Sequence, residues 1–182
     1  AGTGDIDVQQ TLQNHNGDRE LQNDSTGTVT VDDVTLSNDN TGRTLTLSGS
    51  GTTTVNGVVS NGGSSAGNLI KEGTGTLVLA GTNTYTGATT ITAGTVIAQD
   101  DGANTYTGAT VVYDGTLTLA KDAGTNAVAG DLTIGDGTGA TSSAIVQLTN
   151  ANQIADTSAV TFDSDGQFNL NGQNETIGSL AA

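Results

Sequence analysis

The sequence has no cysteine, proline, methionine or tryptophan, and it holds only three Tyr, two Phe, one His and four Lys plus Arg. Each shortage excludes something. Without Cys there are no disulfides and no thiolate metal sites. Four cations against 19 acids leave a net charge of -15, so a nucleic-acid partner, which needs clustered bases to neutralise phosphate, is excluded. An anionic membrane surface is excluded on the same ground. No run of about 18 apolar residues exists, so no helix of this chain inserts in a bilayer. With 3% aromatic residues the chain lacks the large apolar side chains of an ordinary globular core. There is no signal-peptide pattern and no initiating Met, so Ala1 is read as a cleavage product or an artificial start.

What remains is Gly, Thr, Asn and Asp interleaved with Val, Leu and Ile. There are 27 Gly in 182 residues. Such an acidic, Gly-rich composition also suits disorder, but the apolar residues alternate. Thr28-Val29-Thr30-Val31, Thr44-Leu45-Thr46-Leu47, Leu77-Val78-Leu79 and Thr116-Leu117-Thr118-Leu119 put one face in and one face out at period two. The heptamer Asn-Thr-Tyr-Thr-Gly-Ala-Thr occurs at Asn83 to Thr89 and again at Asn104 to Thr110. Each copy is followed by a β-branched run, Gly-Thr and a second alternating run. A fixed period of about 20 residues, built from short strands and Gly/Asn turns, predicts stacked coils. A solenoid also needs few large residues, because each coil buries a thin row of Leu, Ile and Val against its neighbours.

Leu69-Ile70-Lys71-Glu72-Gly73-Thr74-Gly75-Thr76-Leu77-Val78-Leu79-Ala80-Gly81, then Asn83-Thr84-Tyr85-Thr86-Gly87 and Ala93-Gly94-Thr95-Val96, closely resemble the autotransporter-associated β-strand repeat, also called the passenger-associated transport repeat. Asp131 to Leu180 resembles the coil that follows such repeats in large bacterial surface proteins. Residues 1 to 66 carry no recognised motif. The resemblance implies a parallel β-helix displayed on the bacterial cell surface or outside the cell. It brings no catalytic residue, no cofactor and no metal ligand with it. With the chirality of parallel crossovers, it gives the expected fold: all-β, one domain over 1–182, a right-handed parallel β-helix (β-solenoid). At about 22 residues a coil this makes about eight coils and a rod about 40 Å long.

Along the chain, Ile6, Val8 and Leu12 lie on one side of an extended segment within 1–13, which is either the first coil or a strand donated to a neighbouring subunit. Strands are expected at Thr28 to Val31, Val34 to Leu36, Arg43 to Leu47 and Thr53 to Val59. Gly62 to Gly67 is expected to be a loop on one coil rather than a linker. In the repeat core, 67–120, Asn83 with Asn104 would stack as a ladder, and Tyr85 with Tyr106 either stack likewise or each fill a corner of the core with the hydroxyl reaching water. The C-terminal coils, 131–180, have strands at Asp131 to Ile134, Ala144 to Leu148, Ala159 to Phe162 and Gln167 to Leu170. Phe162 and Phe168 would plug the end. No polar cap is visible at either end, so Ile6, Val8, Leu12, Ile177 and Leu180 are the candidate assembly residues. Either the chain is a slice of a longer solenoid, or open ends meet head to tail and give a filament.

Candidate chemistry is sparse, and no enzyme is expected. His15, the only histidine, sits in a turn with nothing to orient it as a base. Asp32/Asp33, Asp100/Asp101 and Asp163/Asp165 are paired acids of ordinary turn type. Asp163-Ser164-Asp165-Gly166 starts like a calcium loop, but Gly166 comes too early and position twelve is Asn174. Thr-x-Thr pairs (Thr28/Thr30, Thr44/Thr46, Thr84/Thr86, Thr105/Thr107, Thr116/Thr118) raise ice binding. Their uneven spacing along the sequence argues against a regular array. The expected function is therefore structural: an extracellular solenoid stacking with itself into surface filaments, sheath or matrix. The alternative is a passenger segment of an adhesin, meeting surface glycans or a host receptor. A carbohydrate-active enzyme and an ice-binding solenoid are lesser alternatives.

Overall fold

The computed structural model describes residues 4–100 and 102–182. Among them there is no helix; the chain is a parallel β-solenoid of eight turns. One face stacks Ile6–Val8, Thr28–Val31, Thr52–Val55, Thr76–Leu79, Thr95–Asp100, Gly115–Lys121, Ala144–Leu148 and Gly166–Asn169. A second face stacks Arg19–Gln22, Arg43–Ser48, Gly67–Lys71, Thr89–Ile91, Thr110–Val112, Leu132–Ile134, Ala159–Phe162 and Ser179–Ala181. A third has only Leu12–Gln13, Val34–Ser37 and Val59–Gly62. Thus the first three coils have three strands each and the later five have two.

The period-two pattern is the cause. In Thr28–Val31, Val29 and Val31 are buried while Thr28 and Thr30 are half-buried, and the same alternation runs through Thr76–Leu79 and Gly115–Lys121. The inward residues form one continuous core from Val29 to Val160, with Leu36, Ile91, Val112, Leu119, Leu148 and Ile154 fully buried. Each coil contributes a few such residues at roughly 1.5–3 kcal/mol apiece, so stability grows by stacking.

Coil length varies while register holds. Val29 pairs with Thr53 and Thr53 with Leu77, two equal steps. Leu77 then pairs with Val96, the shortest step of the series, Val96 with Leu117, and Leu117 with Val146, the longest. The corner from the second face back to the first is a glycine column: Gly49, Gly73, Gly94 and Gly115 all have positive φ. A Cβ on Gly94 would stand 2.5 Å from the Gly73 carbonyl oxygen, and one on Gly115 2.4 Å from that of Gly94. Only glycine fits a left-handed corner stacked so closely on another backbone.

Several boundaries differ from those the sequence predicts. The strand expected over Thr53 to Val59 is two strands, Thr52–Val55 and Val59–Gly62, because the chain turns a corner at Asn56 and Gly57. Expected starts at Asp131 and Gln167 move to Leu132 and Gly166. Gly62 to Gly67 is a loop tied down on the coil below, with Ser64 N and Ser65 Oγ donating to Asn40 Oδ1 and Asn40 O.

Candidate functional sites: the ladder corner and the open ends

In the fourth and fifth coils side chains replace the third strand, while in the sixth and seventh the corner keeps one backbone bridge, Val128 with Ile154. In the heptamer, Asn83 and Tyr85 point inward and are 1% exposed each, while Thr84 and Thr86 point out. Asn104 and Tyr106 repeat this one coil on, at 3% and 5%. The Asn side chains hydrogen-bond along the axis. Val59 N donates to Asn83 Oδ1 at 2.9 Å, Asn83 N to Asn104 Oδ1 at 2.9 Å, and Asn104 Nδ2 to Ala127 O at 2.8 Å. Four coils are thereby linked through two amides. The Tyr rings stack at a centroid distance of 5.1 Å and 10° between planes. This is an offset-tolerant arrangement that adds to simple area burial.

The hydroxyls do not reach water. Tyr85 Oη is paired with Thr89 Oγ1, and Tyr106 Oη with Thr110 Oγ1 at 3.0 Å, both buried. The last residue of each heptamer thus supplies the partner for the Tyr four positions before it, which keeps both phenols inside. Burial pushes the Tyr106 phenol up to about 12 and that of Tyr85 higher still, because a phenolate would be stranded without water.

Two of the four cations are also internal, which sequence reading did not anticipate. Lys71 and Lys121 occupy inward positions and are 3% and 0% exposed. Lys71 Nζ donates to the carbonyls of Glu72 at 2.6 Å and Gly73 at 2.9 Å. Lys121 Nζ donates to Gln99 O at 2.9 Å and Gly81 O at 3.3 Å, residues of the two preceding coils. Backbone carbonyls at coil corners hold these ammonium groups, and burial lowers the Lys71 pKa. The signal was present in the alternation: Leu69, then Lys71; Leu117, Leu119, then Lys121.

The other candidates are structural in their geometry. His15 is exposed, and its carbonyl accepts from Arg19 Nη2. Asp33 Oδ1 accepts from Val58 N at 2.8 Å. Asp101, one of the paired acids, lies outside the described residues. Asp165 is 2% exposed and accepts from Gly137 N at 2.8 Å, Asp136 N at 3.1 Å and Ser143 Oγ at 3.3 Å. It fastens the long loop that gives the sixth coil its extra length. Burial raises its pKa, but those donors outweigh burial and hold it below the ordinary 3.8. Asp163 is exposed and 163–166 is a tight turn, with Gly166 N donating to Asp163 O. Among the described residues no group of three or more His, Asp or Glu side chains is placed to hold a metal ion.

The axial ends differ from the middle. Ile6–Val8 pairs with Thr28–Val31 of its own chain and forms the first coil, with Ile6 54% and Val8 37% exposed. Leu12 is half-buried. At the other end, Phe162 and Phe168 meet at 6.1 Å, tilted by 41°. They do not close the solenoid. With Leu170, Glu175, Ile177 and Leu180 they line a cavity of about 190 Å³, and Leu180 is 65% exposed. Glu175 takes the place of the ladder Asn here, its carboxylate accepting from Gln153 N and Ile154 N. A polar groove of about 490 Å³ opens on the side of the last three coils, lined by Asn126, Asn152, Asp156, Thr157 and Thr176 among others.

The chain is similar to a known family over the repeat core. Residues 69–98 and 101–119 match the Passenger-associated-transport-repeat, so the family whose pattern the sequence resembles is the one the match returns. The matched residues hold the Asn–Tyr ladder, the Lys71 corner and part of the glycine column. Neither a curated protein nor a solved structure matches the chain.

Proposed function

We propose that this chain is a structural β-solenoid of an exported, cell-surface protein that joins further coils edge to edge at both axial ends. The observation that carries the reading is the state of those ends. Among the described residues Ile6–Val8 has a strand neighbour on one side only, and so has Ser179–Ala181. Both ends expose apolar side chains, Ile6 and Val8 at one and Leu170 and Leu180 at the other. Unpaired parallel edges template further pairing, and a head-to-tail contact between unlike ends propagates instead of closing. In its most specific form the partner is another copy of this chain, giving a surface filament. The function needs no catalytic residue, cofactor or metal.

The matched repeat favours a second reading, in which the chain is a passenger segment and its edges meet further coils of the same polypeptide. Negative-stain microscopy of the natively produced protein, with intact mass on the same sample, separates the two. Uniform fibres from an 18.0 kDa chain, lost in the variant carrying Ile177→Asp and Leu180→Asp, support self-assembly. A larger parent mass, or isolated rods of about 40 Å in length with and without those substitutions, refutes it in favour of the passenger.

A further inference from the structure

The outward side of the first face differs from the rest of the surface. Register brings Thr28, Thr52, Thr76, Thr95 and Thr116 into one column running along the axis. Two positions further along each strand a second column stacks Thr30, Thr54, Val78, Ile97 and Thr118. All ten are β-branched, all are half-buried, and none is charged, on a chain of net charge -15. The sequence argument against a regular array, uneven spacing of Thr-x-Thr pairs, fails here. Coils of unequal length still deliver their strands in register, and two of the pairs counted in sequence, Thr84/Thr86 and Thr105/Thr107, belong to the ladder corner instead.

The hydroxyls of these columns are also unused. Among the described residues only one of the eight has an intramolecular hydrogen-bond partner, Thr118, which accepts from Gln147 Nε2 at 3.0 Å. Some Thr hydroxyls elsewhere are engaged, Thr89 and Thr110 by the tyrosines, Thr92 and Thr149 by carbonyls of the preceding coil and Thr138 by Asp136, so it is the paired columns, rather than free hydroxyls alone, that set this face apart. The second face offers no comparable pair of columns. Beside Thr46, Ile70, Thr90, Val111 and Thr133 its next outward positions are Thr44, Asn68, Ala88, Ala109 and Asp131, so only Thr44 with Thr46 makes a β-branched pair there.

We propose that this face binds an ordered water lattice, the surface of ice. The columns repeat about 4.8 Å along the axis and about 6.6 Å along the strands, over five coils and about 19 Å. These are spacings close to the oxygen repeats of hexagonal ice. Each Thr presents a hydroxyl that both donates and accepts, beside a methyl that keeps the surface from competing for liquid water. β-Branching restricts χ1, so the grid is ordered before it binds and little side-chain freedom is lost. The face matches an uncharged lattice in carrying no charge of its own. It has no aromatic platform for a sugar chain, no cation for phosphate and no carboxylate for a metal ion. The array stops at the first coil, where Asp7 pairs with Thr30, and at the seventh, where Ile145 and Gln147 follow Thr116 and Thr118.

The test is thermal hysteresis and inhibition of ice recrystallisation by the purified chain. The variants are Thr76→Lys and Thr95→Lys, at the centre of the first column, and Thr46→Lys on the second face as control. Circular dichroism and Tm check that each variant folds. The expected result is activity in the native chain and in T46K, and its loss in T76K and T95K. No activity in the native chain overturns the proposal, as does activity that survives T76K and T95K. A native dimer that T76K and T95K convert to monomer also overturns it, and makes the face a contact between copies. None of these readouts depends on whether the axial ends assemble.

Discussion

In the first three coils the third wall is a strand, Leu12–Gln13, Val34–Ser37 or Val59–Gly62, bonded through its backbone. In the next two it is a corner of side chains, Asn83 with Tyr85 and Asn104 with Tyr106. The strand-walled coils are longer than these two. Ile6 pairs with Val29, Val29 with Thr53 and Thr53 with Leu77, whereas the corner-walled coils carry Leu77 to Val96 and Val96 to Leu117 in fewer residues. A buried amide can satisfy the neighbouring backbone and a stacked ring can fill the lumen, so a shorter chain closes the same cross-section. The corner then depends on single residues, whereas a strand shares its bonding over several.

Four measurements would break or sharpen that comparison. Tyr85→Ala opens a void at the ladder and should cost about 3–5 kcal/mol in urea unfolding, against roughly 2 kcal/mol for Val59→Ala in the strand-walled third coil. Equal losses would remove the distinction. Next, Asn104→Ala takes away the acceptor for Asn83 N and Nδ2 at 2.9 and 3.2 Å. The stranded buried donors should cost about 1–3 kcal/mol; no loss would mean that the amide ladder does not hold the corner.

The third measurement is an alkaline titration. The Tyr106 phenol is held at about 12 when folded and at the ordinary 10.0 when unfolded. Between those values the unfolded chain has lost its proton and the folded chain has not. Its contribution is therefore complete below pH 10 and falls as pH rises towards 12. Lys71, lowered from 10.5 by burial, acts in the opposite sense, adding stability as pH approaches 10.5. Tyr106→Phe should flatten the decline, and a decline unchanged by it would place the alkaline weakness elsewhere. The smallest effect is expected at low pH. Asp165, held below 3.8, stabilises the loop over Gly135 to Ser143 above that value and releases it as pH falls through its folded pKa. Amide exchange at Asp136 and Gly137 should speed up there, and in Asp165→Ala, which removes their acceptor, it should already be fast at neutral pH. Slow exchange in that variant would mean the loop is held by other contacts.

Much of the fold was legible because a period of two is a local property. Val29 and Val31 inside with Thr28 and Thr30 outside, or Leu117 and Leu119 inside with Thr116 and Thr118 outside, needs no knowledge of neighbours. The heptamer at Asn83 and Asn104 also announced which residues would lie above one another. The number of coils followed from the mean period. Lys71 and Lys121 occupy inward positions of the same alternation, but a lysine there is inward only because carbonyls of neighbouring corners hold its ammonium, which no local pattern reveals. What could not be read was wherever distance along the chain and distance in space part company. The corner at Asn56 that divides one expected strand into two is such a case, and so are the sealed Tyr hydroxyls.

By itself, then, the sequence determined that this chain pleats, that its coils stack, and which faces of its strands turn inward, since these depend on residues one or two apart. Only the tertiary structure decided which coils have a third strand and which an Asn–Tyr corner. It likewise decided that Lys121 reaches back across two turns, that Phe162 and Phe168 leave a cavity open, and that Thr28 through Thr116 form one column. The reason is physical. Register between coils is set by backbone pairing and corner geometry, and these absorb both the short step from Leu77 to Val96 and the long one from Leu117 to Val146 without displacing the strands they connect.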